Sequence, residues 1–212
     1  MTAEALKLMS LLLQYPSAEQ LAARPELREA AAELPPGRGG REIRRFLDWY
    51  CAVPGAELQS RYVDTFDFTK RSSLHLTYHT FGDRRQRGMA LLNLKQRYAA
   101  AGLDLLDGEL PDYLPVMLEC AALAPDAGVA VLARNHEALE LVRASLHEAE
   151  SPWALLLDAT CAALPPLTKL QGARVRRLAA EGPPFEEVGL EPFAPPDVMP
   201  PSHDRAPRAV RS

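Results

Sequence analysis

Three polar side chains in the middle of the chain have the spacing of metal ligands. His75, His79 and Asp83 follow one another at intervals of four residues. On one continuous helix, residues four apart lie on the same face, so these side chains would converge. Two imidazoles and a carboxylate are donors that divalent transition metals accept, which allows a metal-dependent hydrolase. The same pattern is common on the polar rim of a helix, and we predict no metal site here.

Two other groups of charged residues lie beside this pattern. Asp64 and Asp67 are three residues apart and resemble a pair for acid–base catalysis, but no nucleophile or oxyanion device accompanies them. Arg84, Arg85 and Arg87 form a short basic cluster that suits a phosphate or an acidic peptide. Three cations do not specify nucleic acid. We therefore predict no catalytic residues and no nucleic-acid partner.

Aromatic and charged residues alternate throughout residues 61–89. Aromatic rings supply apolar contact area and carboxylates select cationic groups, as a peptide-binding groove requires. The same composition also suits buried aromatic residues whose charged neighbours face solvent. The residue types alone leave both interpretations open.

Sequence motifs of the common enzyme classes are absent. The chain contains no GxGxxG, GxxxxGK[ST], GxSxG or HExxH. Its three cysteines, Cys51, Cys120 and Cys161, are far apart and form no CxxC pair, so the sequence supports neither a disulfide framework nor a structural zinc site. We expect a reduced, intracellular protein that holds no cofactor of its own.

Composition and charge favour an ordinary globular protein. Of 212 residues, 47% are hydrophobic and 25% are charged, which is enough apolar material for a core without metals or disulfides. The net charge of −4 argues against a nucleic-acid partner. The apolar run at residues 8–13 has no basic segment before it and is too short to span a bilayer, so we predict a cytoplasmic protein that does not insert into the membrane directly.

The apolar residues repeat with the helical period almost everywhere. Ile43, Phe46, Leu47 and Tyr50 show it clearly, at offsets of 0, 3, 4 and 7. Proline, glycine and capping residues punctuate the pattern. The sequence therefore predicts an all-α fold, a single compact bundle of roughly nine or ten helices over residues 1–181.

Several local features of these helices can be predicted as well. Ser17 and Gln20 form a capping box at a helix start. Asp112 is the expected N-cap of the helix that holds Pro115 in its first turn, since the N–H groups there have no helical partner. Gly102 is the expected glycine that ends the preceding long helix.

The C-terminal segment has a different composition. Residues 182–212 contain eight of the 19 prolines, and proline removes the donor that helices and sheets need. We predict a Pro-rich C-terminal extension that is partly disordered, especially beyond about residue 200. Phe185, Leu190 and Phe193 are isolated apolar residues by which this extension could pack onto the bundle.

Four blocks of sequence resemble a known family. RYVDTFDF (61–68), SLHLTYHTFGDRRQRGMALLNLKQRYAAAGL (73–103) and GELPDYLPVMLECAAL (108–123) are similar in order and spacing to the motif blocks of NarJ-type chaperones. VGLEPFAPP (188–196) resembles the C-terminal portion of many members. These chaperones belong to the wider TorD/DmsD family of redox-enzyme maturation proteins. The resemblance covers about residues 4–198.

The resemblance implies a helical chaperone without a catalytic centre. Such proteins bind the N-terminal segment of the apo catalytic subunit of a respiratory nitrate reductase in the cytoplasm. They support insertion of its molybdenum guanine-dinucleotide cofactor, which belongs to the client and not to the chaperone. The expected function is therefore nitrate reductase assembly, with the unfolded or immature subunit as partner.

The resemblance and the aromatic composition together indicate a peptide-binding groove between helices. The residues expected to form it are Tyr62, Asp67, Tyr78, His79, Asp83, Arg87, Tyr113 and Glu119. Two other functions stay open at this point. One is a stable helical scaffold or regulatory subunit, and the other is the metal-dependent hydrolase that would use His75, His79 and Asp83.

Overall fold

Helices make up nearly all of the regular structure in this computed structural model, which describes residues 1–82, 84–106 and 108–181. Within these ranges there are twelve α-helices, and one 3-10 helix, Lys70–Ser72, lies between α5 and α6. The α-helices are α1 (Ala3–Leu12), α2 (Ala18–Ala22), α3 (Arg24–Ala32), α4 (Arg38–Ala52), α5 (Gly55–Phe66), α6 (Leu76–Phe81), α7 (Arg85–Ala100), α8 (Leu114–Leu123), α9 (Pro125–Arg134), α10 (His136–Glu148), α11 (Ala154–Ala162) and α12 (Lys169–Glu181). The predicted all-α fold is confirmed.

The described residues contain more helices than the nine or ten predicted, because several continuous apolar patterns are broken. The pattern through Leu21 and Leu27 is divided at Ala23, and Pro25 lies in the first turn of α3. Proline fits the first turn because the N–H groups there have no helical partner. The apolar pattern at Leu74, Leu76 and Tyr78 is likewise only partly helical, since α6 begins at Leu76. The predicted extension, 182–212, lies outside the described residues.

Local capping explains several of these helix ends. Ser17 accepts a hydrogen bond from the Gln20 amide N–H at 3.2 Å, as half of the predicted capping box requires. The Gln20 side chain instead donates to the Leu11 carbonyl at 2.7 Å, which ties α2 to the end of α1. Gly102 has a φ of +76° directly after α7, so the prediction of a terminating glycine is confirmed.

The core is centred on Trp153, which is 1% exposed. Its ring lies 5.0 Å from Trp49 and 5.5 Å from Phe66 in edge-to-face arrangements, and 6.0 Å from Phe46. The pairs α1–α8 and α4–α11 pack closely around this cluster. Aromatic side chains bury large apolar areas, so this cluster joins α4, α5 and α11 into one unit. Tyr62 of α5 extends it toward the surface, with its ring 5.8 Å from Trp153.

Among the described residues, no helix combines the length and the apolar character needed to cross a bilayer.

The crossing of α8 and α9 gives a stability prediction. A Cβ atom at Gly128 would lie 2.2 Å from Ala121 Cα and 2.6 Å from Ala121 N, both backbone atoms of α8. We expect Gly128→Ala to lower the free energy of unfolding by about 2 kcal/mol or more, because the two helices must separate. Urea denaturation of the full chain measures this change.

Gly88 of α7 is the matched control. A Cβ atom there meets nothing within 4 Å, so Gly88→Ala should raise the free energy of unfolding by about 0.5–1 kcal/mol through helix propensity alone. Equal effects of the two substitutions would contradict the close approach of α8 and α9.

Candidate functional site

A buried carboxylate, Asp112, joins three parts of the motif region. Its side chain is fully buried, and His75 Nδ1 lies 3.2 Å from its Oδ1. The Thr77 hydroxyl donates a short hydrogen bond to Oδ2, and Arg87 Nη2 lies 3.3 Å from the same oxygen. We call these four residues, His75, Thr77, Arg87 and Asp112, the Asp112 network. A buried carboxylate requires such partners, because an unpaired charge in the interior is very costly.

The main chain reinforces the same junction. The Leu76 amide donates to the Asp112 carbonyl at 3.0 Å, and the Leu114 amide donates to the Leu74 carbonyl at 2.9 Å. Together these bonds form an isolated antiparallel bridge between His75 and Tyr113. The segment before α6 and the segment before α8 are therefore held side by side.

The prediction that Asp112 caps α8 is wrong. Tyr113 occupies the N-cap position, and no side chain caps this helix end. The Asp112 carboxylate points into the protein, where it receives bonds from His75, Thr77 and Arg87. This inward orientation is favourable because the charged guanidinium of Arg87 gives a stronger hydrogen bond than a backbone amide does.

The charge of Asp112 is stabilised by these partners. Burial by itself would raise the pKa of its carboxyl group. The hydrogen bonds from His75 and Thr77, with the nearby charges of His75 and Arg87, outweigh burial and hold that pKa below its usual value. Asp112 is therefore ionised at neutral pH.

A group of aromatic residues lies beside the Asp112 network. The Tyr62 hydroxyl donates to the Leu13 carbonyl at 2.9 Å and lies 3.3 Å from the Tyr113 hydroxyl. A carbonyl can only accept, so Tyr62 uses its single proton there and Tyr113 donates to Tyr62. The acceptor positions on the Tyr113 oxygen are thus left for another donor.

Three further side chains complete this surface. Tyr15 is 47% exposed and its ring meets the Tyr62 ring edge-on at 5.7 Å. The His75 ring lies 5.2 Å from the Tyr113 ring, at an angle of 30°. Burial raises the pKa of both Tyr62 and Tyr113, and the negative charge of Asp67, which is exposed at the C-terminal end of α5, also raises both. We call Tyr15, Tyr62, Asp67, His75 and Tyr113 the tyrosine patch.

Tyr78 contacts the Asp112 network through Arg87. The Arg87 guanidinium is 6.0 Å from the centre of the Tyr78 ring, within the range of a cation–π contact. Arg87 also donates to Thr77 at 3.3 Å. These contacts connect α7 to α6, and Arg87 links them to Asp112.

His79 of α6 is buried and has a hydrogen-bond partner outside the Asp112 network. It is 3% exposed, and its Nε2 lies 2.7 Å from the Ser73 carbonyl. Because a carbonyl only accepts, the proton of the neutral ring is on Nε2. Burial lowers the pKa of His79, more strongly than the Ser73 carbonyl and Asp112 raise it. His79 is therefore neutral at neutral pH.

The predicted groove residues thus fall into separate groups. Tyr62 and Tyr113 meet in the tyrosine patch, and Asp67 is exposed at the end of α5. Glu119 is on a half-exposed surface of α8 and pairs with Lys7 of α1. Asp83 lies outside the described residues. The metal-ligand interpretation also needed one helix through His75 and His79, but His75 precedes α6.

Three residues of the site were not among the sequence predictions. Asp112, Thr77 and Tyr15 were missed, although Asp112 and Thr77 lie inside the blocks that carried the family resemblance. An acidic residue between Pro111 and Tyr113 in such a block was a usable signal. Tyr15 gave no such signal, because it follows the end of a helix, where an exposed residue is common.

Comparison with known proteins identifies the family. The family model described as nitrate reductase delta subunit matches residues 22–157. The chain belongs to the nitrate reductase delta subunit family. Its matched region includes all of the Asp112 network and most of the tyrosine patch. The predicted resemblance to NarJ-type proteins is confirmed.

Individual relatives have names that agree with this family match. NarJ of Bacillus subtilis (strain 168), provisionally named a nitrate reductase molybdenum cofactor assembly chaperone, is 35% identical over 74% of this chain and 85% of its own. NarJ of Escherichia coli (strain K12), named a nitrate reductase molybdenum cofactor assembly chaperone, is 34% identical over 72% of this chain and 66% of its own. The match to the nitrate reductase-like protein NarX of Mycobacterium tuberculosis (strain CDC 1551 / Oshkosh), at 39% identity over 72% of this chain, spans 23% of that protein.

A solved structure supports the fold of the family. It comes from Archaeoglobus fulgidus and carries a provisional description as a redox enzyme maturation protein. The two structures align with a TM-score of 0.59 over 77% of this chain and 93% of the other, at 23% identity. At this identity the likeness concerns the fold.

The Asp112 network gives a second prediction. Asp112→Asn should lower the free energy of unfolding by about 3 kcal/mol at neutral pH, because Arg87 loses its buried partner. The folded pKa of Asp112 lies below the unfolded one, so its stabilisation is present above about pH 4 and is lost as pH falls through the folded pKa. Urea denaturation at several pH values should show the two proteins converging in acid.

Asp48→Asn serves as the control, because Asp48 pairs with Arg28 at an exposed position. It should change the free energy of unfolding by less than about 1 kcal/mol. A cost for Asp112→Asn as small as that of Asp48→Asn would show that the network contributes little.

His79 gives a third prediction, on pH dependence. The unfolded chain binds a proton at His79 as pH falls below about 6.5, whereas the folded chain does not, so stability decreases from about pH 7 to pH 5. In His79→Gln the amide can still donate to the Ser73 carbonyl. We expect this variant to lose less stability over the same range in urea denaturation.

His147→Gln is the control for this experiment. His147 is half-exposed on α10, where it contacts Asp158. This variant should keep most of the wild-type decrease attributed to His79. A wild-type slope in His79→Gln would mean that groups other than His79 cause the loss of stability between pH 7 and pH 5.

Proposed function

We propose that this chain is an assembly chaperone for a nitrate reductase. It would bind the N-terminal segment of the apo catalytic subunit and support insertion of the molybdenum cofactor. Membership of the nitrate reductase delta subunit family, with NarJ proteins named as such chaperones among its relatives, is the observation that carries this proposal.

The tyrosine patch is the surface we assign to the client segment. Tyr15 and Tyr113 offer partly exposed rings, and Asp67 offers an exposed carboxylate at the end of α5. Rings fit the apolar side of an amphipathic helix, while a carboxylate attracts lysine or arginine on its polar side. The open acceptor positions of the Tyr113 oxygen suit a donor from the client.

The Asp112 network supports this surface from behind. Arg87, Thr77 and the paired backbone hold His75 and Asp112 in place, and the His75 ring lies on Tyr113. A surface that is ordered before binding loses less conformational freedom on binding. Tyr62 contributes mainly through this order, because it is 5% exposed and belongs to the core.

The proposal includes the cellular setting and the chemistry. The chain would act in the cytoplasm on the immature subunit, as a chaperone and not as an enzyme. The molybdenum guanine-dinucleotide cofactor would belong to the client. Tyr78, His79, Arg87 and Glu119 would then act as neighbouring or supporting residues, since they lie apart from the exposed rings of the patch.

Titration calorimetry of the full chain with a peptide from the N-terminus of the reductase catalytic subunit tests this proposal. We expect saturable one-to-one binding that weakens with added salt. Tyr15→Ala should reduce the affinity about tenfold or more, because it removes an exposed aromatic contact. Asp67→Asn should reduce it about two- to fivefold and make it less sensitive to salt.

Two control positions lie at the far end of α8, about 15 Å along the helix from Tyr113, and just beyond it at the start of α9. Leu123 is 66% exposed, and Asp126 is an exposed acidic residue in the first turn of α9. Leu123→Ala and Asp126→Asn should bind like the wild type. Equal losses in all four variants would move the binding surface away from the tyrosine patch.

A failure to bind the peptide would also distinguish a chaperone from a stable subunit. Failure of the wild-type chain to bind the peptide, combined with its purification as part of the mature reductase, would favour the stable subunit over the chaperone.

A further inference from the structure

A second group of polar residues, which shares no member with the tyrosine patch, lies at the contact between α10 and α11. His136 begins α10, and Glu140 lies one helical turn later on the same face. Cys161 of α11 faces them. One donor atom from each of the three side chains lies within 4.8 Å of the other two.

The buried imidazole of His136 is incompletely hydrogen-bonded. The residue is 5% exposed, and its Nε2 is buried without a hydrogen-bond partner. Glu140 Oε1 lies 3.5 Å from this nitrogen. A buried polar atom without a partner costs free energy, so it requires an explanation. A bound cation between Nε2 and Oε1 would supply the missing interaction.

The distances and donor types suit a tetrahedral metal ion. For Zn²⁺, bond lengths of about 2.0–2.3 Å place neighbouring ligand atoms roughly 3.3–3.7 Å apart. The His136–Glu140 separation already has this value, and Cys161 Sγ needs to approach by at most about 1 Å, which one rotation about χ1 can provide. Nitrogen, oxygen and sulfur together favour zinc over magnesium or calcium.

Arg143 orients the carboxylate of this group. Its Nη2 and Nε donate to Glu140 Oε2 at 2.6 Å and 2.9 Å, which leaves Oε1 directed toward His136. Its Nη1 donates to Asp158 at 3.0 Å, and Asp158 also contacts His147. The negative charge of Asp158 offsets the arginine cation. Ligands held by outer hydrogen bonds in this way are typical of metal sites.

The site opens onto a cleft of about 640 Å³. The cleft is lined by the three candidate ligands and, among others, by Arg38, Leu164 and Leu167. Three protein ligands beside an open cleft leave the fourth position of a tetrahedral ion for water or an exogenous ligand. The arrangement therefore differs from a closed structural zinc site.

We propose that His136, Glu140 and Cys161 bind a divalent cation of the zinc class. Burial raises the pKa of the Cys161 thiol, so the thiol carries its proton in the metal-free chain. On binding, the sulfur–hydrogen bond breaks, the sulfur bonds to the ion and the proton passes to solvent. The ion would connect α10 to α11 directly. This site is independent of the proposed client surface.

Metal titration of the purified full chain tests the proposal. Cobalt(II) serves as a spectroscopic probe because it takes tetrahedral zinc sites and shows a charge-transfer band when a thiolate is bound. We expect one equivalent of cobalt to produce this band, and zinc to displace it. X-ray absorption of the zinc-loaded wild-type chain should show one sulfur among four ligands, a measurement that depends on no variant.

Variants assign the ligands. Cys161→Ser should abolish the charge-transfer band, and His136→Asn should weaken binding at least tenfold. Cys51→Ser is the matched control, since Cys51 is also half-buried but lies apart from the cluster, and it should bind like the wild type. Circular dichroism verifies that each variant is folded.

Several results would overturn the proposal. These are the absence of saturable one-to-one binding, a zinc shell without sulfur, or an unchanged band in folded Cys161→Ser. Loss of the band in Cys51→Ser would equally assign the thiolate to another position.

Discussion

The buried carboxylate of Asp112 is the interaction on which the surface around it depends. A full negative charge without access to solvent is tolerated only because His75, Thr77 and Arg87 surround it. These partners come from the segment before α6, from α6 itself and from α7, so satisfying one charge fixes the positions of three segments. The antiparallel bridge at Tyr113 then follows, because Asp112 and Tyr113 are neighbours in the chain.

The aromatic core extends to the surface through Tyr62 and Tyr113. Tyr62 contacts Trp153 on one side and reaches the Tyr113 hydroxyl on the other. The tyrosine patch is thus an extension of the aromatic core, with exposed rings supported by buried ones. This architecture suits a protein that presents a prepared surface to a flexible segment, because the segment then bears most of the ordering cost.

The proposed metal site occupies another part of the bundle but shares an element with the core. Cys161 lies on α11, whose first turn directly follows Trp153. An ion that holds α11 against α10 would therefore stabilise the helix that positions the centre of the core. The sequence does not indicate these ligands, since Cys161 is 21 residues from Glu140 and has the spacing of an apolar helix position.

The sequence by itself determined the helical class and most burial patterns. Ile43, Phe46, Leu47 and Tyr50 are all buried as their spacing predicted, because helical periodicity is a local property. The family blocks also contain the residues of the Asp112 network. Tertiary structure alone decided that the Asp112 carboxylate points inward and that His75 and His79 have different hydrogen-bond partners. It also decided that Glu119 pairs with Lys7 and that His136 lies near Cys161. These outcomes depend on which distant segments pack together, and the compensation of buried charge across those contacts leaves no periodic signal in the chain.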